Sequence, residues 1–171
     1  MGPTSTAAAT VARGRIFAMM DADGDGVISA DDYLSRVDRA VQATGRSEDD
    51  PLVVAARGQA HKAWGAMDAN GDGKLTFEEY DAWVGADKFD NVCRFALGAL
   101  FDLADADGDG ALGEAEFTVL RTALNNAPGN AAAAFHALDS DGDGRVRRDD
   151  YLGSIRAYVI GDASPMGEAL Y

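Results

Sequence analysis

The chain is poor in cysteine, lysine and long apolar runs, and each shortage narrows what it can be. The single cysteine, Cys93, excludes an internal disulfide. It suits a reducing compartment, so a cytoplasmic location is expected. No stretch reaches the roughly 18–20 apolar residues that a membrane-spanning helix needs. The opening MGPTSTAAATVARGR is too weakly apolar for a secretory signal. It does fit the short N-myristoylation pattern, but Pro3 is an awkward neighbour and no lipid is expected. The two histidines, His61 and His136, stand outside any ligand pattern, and Cys93 has no Cys or His cluster around it. A zinc or copper centre is therefore not expected. No basic patch suggests nucleic acid. No nucleophile–base constellation suggests an enzyme. Lysine and isoleucine are scarce while alanine, glycine, arginine and aspartate abound, which reads as the bias of a GC-rich, bacterial genome.

What the chain does have is a repeat. Residues 68–79, DANGDGKLTFEE, match the loop pattern D-x-[DN]-x-[DN]-G-x5-E in full. Asp68, Asn70 and Asp72 fill positions 1, 3 and 5, and Gly73 fills position 6, where the chain must turn sharply. Lys74 at position 7 would offer its backbone carbonyl. Thr76 at position 9 would act through a water, and Glu79 at position 12 can offer both carboxylate oxygens. The spacing recurs at Asp21, Asp23, Asp25, Val27 and Asp32, at Asp105, Asp107, Asp109, Ala111 and Glu116, and at Asp139, Asp141, Asp143, Arg145 and Asp150. The flanks repeat as well. Phe17, Trp64, Phe101 and Phe135 lie four residues before the loops, and Met20, Met67, Ala104 and Leu138 lie one before. Tyr33, Tyr80, Phe117 and Tyr151 lie one after, and position 8 holds Ile28, Leu75, Leu112 and Val146. The repeating unit is helix, loop, helix.

These residues resemble the EF-hand superfamily. The unequal loop spacing, the absence of a long central helix and the short apolar tail most resemble the calerythrin and sarcoplasmic calcium-binding protein group. The resemblance implies an all-α fold of four EF-hands in two paired lobes, one compact domain with short antiparallel β-bridges between paired loops. Residues 1–87 form the first pair, residues 88–160 the second, and residues 161–171 a tail docking on the core through Met166, Leu170 and Tyr171. Ile28 should meet Leu75 across one bridge, and Leu112 should meet Val146 across the other. Helices are expected from Thr4 or Ser5 to Met20 and over 30–43, 51–67, 77–84, 91–104, 114–125, up to Leu138, and 148–160. Residues 85–90 should be the joint and 126–130 a turn. Along the helix at 91–104, Val92, Phe95, Ala96, Leu100 and Phe101 should share a face.

All-oxygen ligands select calcium or magnesium. Positions 1, 3, 5 and 12 of the four loops hold 15 of the 29 acidic residues, and the other 14 nearly balance the 15 lysines and arginines. The net charge of −14 is therefore concentrated where a cation would offset it. Two carboxylates about 4 Å apart repel by about 4 kcal/mol at an effective dielectric near 20. A micromolar cation site is worth about 8 kcal/mol at standard state. Loops two and three end in glutamate, whereas loops one and four end in the shorter Asp32 and Asp150. That weakens calcium or narrows its lead over magnesium. In loop three, Gly113 at position 9 leaves a place for water. In loop four, Arg145, Arg147 and Arg148 oppose a cation. Up to four calcium ions are expected, loops two and three binding most tightly and loop four least.

Two roles follow, a cytosolic calcium buffer or signal modulator and a sensor that opens a groove for a target helix. Sensor grooves favour methionine. Here only Met19, Met20 and Met67 of the five lie beside a loop, which favours the buffer. Photoproteins share this architecture, but Trp64, Trp83, His61 and the tyrosines read as ordinary helix residues. A monomer is expected, with calcium as its partner.

Overall fold

The computed structural model describes residues 6–21, 23–124 and 128–164. Helix α1 (Thr6–Met20) leads through loop one and β1 (Val27–Ser29) into α2 (Ala30–Thr44). Helix α3 (Pro51–Met67) leads through loop two and β2 (Lys74–Thr76) into α4 (Phe77–Trp83). One helical turn, α5 (Ala86–Lys88), and a π-helical turn (Phe89–Cys93) run into α6 (Arg94–Ala104). Then come β3 (Ala111–Leu112), α7 (Glu114–Ala123), α8 (Pro128–Leu138), β4 (Val146–Arg147) and α9 (Arg148–Ile160). Local chemistry sets the boundaries. Asp50 caps α3 by accepting the Leu52 N–H at 2.8 Å, with Pro51 in the first turn. Gly45 ends α2 in the left-handed conformation, φ 69°.

Each pair of loops is joined by a two-stranded antiparallel bridge. Ile28 faces Leu75 in one and Leu112 faces Val146 in the other, as the repeat predicts. All sixteen repeated apolar positions are buried, so each hand contributes the same four anchors. Tyr33 packs on Trp64 at 5.9 Å, and Tyr151 packs on Phe101 and Phe117 at 5.6 and 5.9 Å. Leu112 is fully buried at a bridge centre, so Leu112→Ala is expected to cost about 2–5 kcal/mol in denaturant unfolding.

The two pairs share one continuous core, with α3 against α6, α2 against α7 and α1 against α9. Three arginines of the first half fasten it to helix ends of the second. Arg13 donates to the Val159 carbonyl at 2.9 Å, Arg39 to Ala123 at 2.7 Å and Arg46 to Leu103 at 2.7 Å. Carbonyls in the last turn of a helix have no intrahelical partner, and a cation there also meets the negative end of the dipole.

Three expectations need correction. The helix expected from residue 91 starts earlier: within 85–90 only Gly85 is extended, and α5 continues through the π-turn into α6. Asp90 is held there by Arg156 of α9 at 2.8 Å, a hydrogen bond that keeps its carboxyl below the usual range. The buried face of α6 centres on Ala96, Leu100 and Leu103, and Phe95 lies about 100° round the helix from Ala96, half exposed. The turn placed at 126–130 instead contains the start of α8, because proline suits the first helical turn. Helix α7 ends at Ala123, and residues 125–127 lie outside the described residues.

Candidate metal centres

Each loop is wound around its first aspartate. The position-6 N–H donates to the outer oxygen of position 1 in every loop: Gly26 to Asp21, Gly73 to Asp68, Gly110 to Asp105 and Gly144 to Asp139, at 2.8–2.9 Å. These glycines have φ of 77–88°, a conformation that a side chain would strain. The position-7 N–H donates to position 5: Val27 to Asp25, Lys74 to Asp72, Ala111 to Asp109 and Arg145 to Asp143, at 2.9–3.1 Å. The backbone thus points the short carboxylates inward. The carboxylate oxygens of Asp21, Asp23 and Asp25 lie within 4.8 Å of one another, as do those of Asp139, Asp141 and Asp143. In loop three Asp105 and Asp107 gather in the same way with Glu116. Val27, Lys74 and Ala111 open their strands and Arg145 immediately precedes β4. Their carbonyls are the backbone oxygens available at position 7.

The residues at position 12 differ in reach. Glu116 spans its loop, accepting the Gly113 N–H at 3.0 Å and the Ala106 N–H at 2.9 Å. Glu79 accepts the Thr76 N–H at 2.9 Å and the Asn70 side-chain amide at 3.2 Å. Asp32 reaches only the Ser29 N–H, at 3.1 Å, and Asp150 accepts no hydrogen bond among the described residues. Ser29–Asp32 and Thr76–Glu79 are capping boxes that start the helices leaving the loops. Their signal, Ser or Thr followed three residues later by an acid, was present in the sequence.

The donor set fits a hard divalent cation. Asp105 Oδ1 is buried and accepts no hydrogen bond among the described residues, while Oδ2 takes the Gly110 N–H. Burial, with the facing Asp107 and Glu116 carboxylates, holds the Asp105 carboxyl above its ordinary range despite that N–H. A buried, unpartnered carboxylate oxygen is costly unless a cation or water meets it. Calcium bound there would supply the positive charge that the clustered oxygens lack.

The loop-four arginines have separate targets. Arg145 does not face its own loop's acids: its guanidinium contacts Asp109 of loop three and lies 4.0 Å from Asp107. Arg147 lies 3.6 Å from Asp143 and 4.0 Å from Asp141 of its own loop. Arg148 pairs with Asp102 of α6 at 3.1 Å, away from the loop acids. Of the three, only Arg147 opposes a cation in loop four through its own contacts. His61 and His136 are exposed on α3 and α8.

The pattern of four paired loops defines the protein's class. A model of the EF-hand domain pair matches residues 94–156, and one of the EF hand matches residues 15–35 and 65–83. The chain is 30% identical over 169 residues to "Probable calcium-binding protein CML16" of Oryza sativa subsp. japonica, spanning 98% of this chain and 87% of that one. It belongs to the EF-hand calcium-binding proteins. Within them it is similar to calerythrin. It is 25% identical to calerythrin of Saccharopolyspora erythraea, over 85% of this chain and 88% of that one. The structure of a Streptomyces coelicolor calcium-binding protein, described in terms of prokaryotic calcium-mediated regulation, superposes with a TM-score of 0.73 at 30% identity. It covers 89% of this chain and 99% of the other. Both latter organisms agree with the bacterial reading of the composition. Among the described residues no helix is long and apolar enough to cross a membrane.

Proposed function

We propose that the protein is a calcium buffer or signal modulator that acts as a cytoplasmic, non-enzymatic monomer. The observation that carries this reading is the use of the apolar faces. Met19, Met20 and Met67 line a pocket between the halves with Leu97, Leu124 and Ile155, where most of the lining side chains are buried against one another. The three arginine caps hold that arrangement together. Calcium is held by Asp21, Asp23, Asp25, Val27 and Asp32; by Asp68, Asn70, Asp72, Lys74 and Glu79; by Asp105, Asp107, Asp109, Ala111 and Glu116; and by Asp139, Asp141, Asp143, Arg145 and Asp150. Magnesium competes best where position 12 is aspartate. Residues 1–87 and 88–160 act as the two pairs, and the tail 161–171 docks on the core. In support of docking, the Ser164 hydroxyl donates to the Ser154 carbonyl of α9 at 2.7 Å. Met166, Leu170 and Tyr171 lie outside the described residues.

A second reading, a sensor that opens for a target helix, is favoured by the regulatory description of the Streptomyces coelicolor relative. Cys93 separates the two. It lines the same pocket, and burial pushes its thiol up to about 12, where little reactive thiolate forms at neutral pH. A buffer should protect Cys93 from a thiol reagent more when calcium is bound, and should not bind a phenyl resin. Faster labelling together with resin binding in calcium would establish the sensor instead.

A further inference from the structure

In each pair, the loop that comes second has a basic residue at position 7. Loop two has Lys74 and loop four has Arg145, where loops one and three have Val27 and Ala111. The β3–β4 bridge brings loop four against loop three. The Arg145 guanidinium thereby contacts Asp109, at position 5 of the neighbouring loop, and lies 4.0 Å from Asp107 at position 3. In the first half Lys74 holds the matching place in the bridge, without an ion pair across it among the described residues. Lys74 pairs opposite Ser29 across the β1–β2 bridge.

We propose that Arg145, at position 7 of loop four, is a built-in counter-ion for Asp109, the position-5 carboxylate of loop three, and that it sets loop three's calcium affinity. The proposal rests on the reading that these loops bind calcium. Position 7 then has two roles. Its carbonyl belongs to its own loop, while its side chain serves the neighbour. Without metal, Arg145 relieves repulsion between Asp107 and Asp109. When a doubly charged ion enters loop three, the same guanidinium opposes it. Calcium in loop four fixes the backbone from which Arg145 reaches across, so the two sites are coupled through one residue. Arg145 and Arg147 divide the pair, one facing loop three and the other loop four.

Amide signals of the position-6 glycines report each loop separately, because each N–H donates to its own loop's first aspartate. The full chain is titrated with calcium while the Gly110 and Gly144 amides are followed by NMR. In R145Q the Gly110 midpoint should fall by about three- to five-fold at low salt, as for a part-exposed ion pair, and should move more than Gly144. The difference should close between about 0.01 M and about 1 M salt, where screening shortens from roughly 30 Å to roughly 3 Å. R148Q, which removes the Arg148–Asp102 pair, should leave both midpoints in place. A Gly110 midpoint unmoved in R145Q, or a Gly144 shift as large, overturns the proposal alone. Wild-type amides that ignore millimolar calcium overturn the calcium reading and the proposal with it.

Discussion

Chelating calcium is expected to lower the melting temperature by about 20 °C. A ligand that binds only the folded state at about a thousand times its dissociation constant adds about 4.1 kcal/mol per site. Loops two and three, whose position-12 glutamates reach across the loop, together give about 8 kcal/mol on that basis. In a chain of this length each kcal/mol moves the midpoint by roughly 2–4 °C. The effect is large because the loops and the core are mechanically one. Position 8 of every loop is a buried bridge residue, and the residue directly after position 12 is a buried aromatic. Position 12 therefore cannot swing toward an ion without carrying the start of the departing helix, and with it Tyr33, Tyr80, Phe117 or Tyr151. Differential scanning calorimetry with a calcium chelator and with saturating calcium measures the shift. A change of only a few degrees would mean that the clustered oxygens do not hold an ion.

The parts of this structure legible in the sequence are those set by period and spacing. The loop pattern marked the acids that gather in loops one, three and four, and the flanking repeat marked the anchors. Position 8, repeated four times as Ile28, Leu75, Leu112 and Val146, was enough to give both bridge registers. What escaped depends on reach and on position round a helix. Phe95 looked buried by helical spacing, but it lies one residue, about 100°, round α6 from Ala96 and is half exposed. Arg145 looked like a burden on loop four because it lies there in sequence. Its long side chain instead crosses a bridge whose register was itself predictable. Arg36 and Arg121 are buried in the core, which no apolar period announces. Arg36 is accommodated by stacking 4.4 Å over the Tyr33 ring, an arrangement that only the packed structure reveals.

Glu79→Gln and Asp150→Asn each replace a position-12 carboxylate with a neutral amide, yet the two losses are expected to differ by at least ten-fold. Changing groups that merely orient metal ligands already costs 10–100-fold in affinity. Glu79→Gln removes a candidate ligand itself, and loop two should lose about 100-fold or more. Glu79 is also placed for the task. Thr76 holds one oxygen from the helix start and Asn70 meets the other from position 3. The substituted amide would set its own N–H groups against those of Asn70. Asp150 has no such placement: among the described residues it accepts no hydrogen bond. The position-9 residue beside it, Arg147, already stands near Asp141 and Asp143. Loop four is thus weakened by a cation of its own and its last carboxylate is not poised toward the site, so Asp150→Asn should cost under about ten-fold. Calorimetric titration of both variants, with the Gly73 and Gly144 amides as site reporters, gives the two ratios. Equal losses would show that side-chain reach at position 12 does not rank these loops. A larger loss in Asp150→Asn would show that Arg147 yields to the ion and that Asp150 closes behind it.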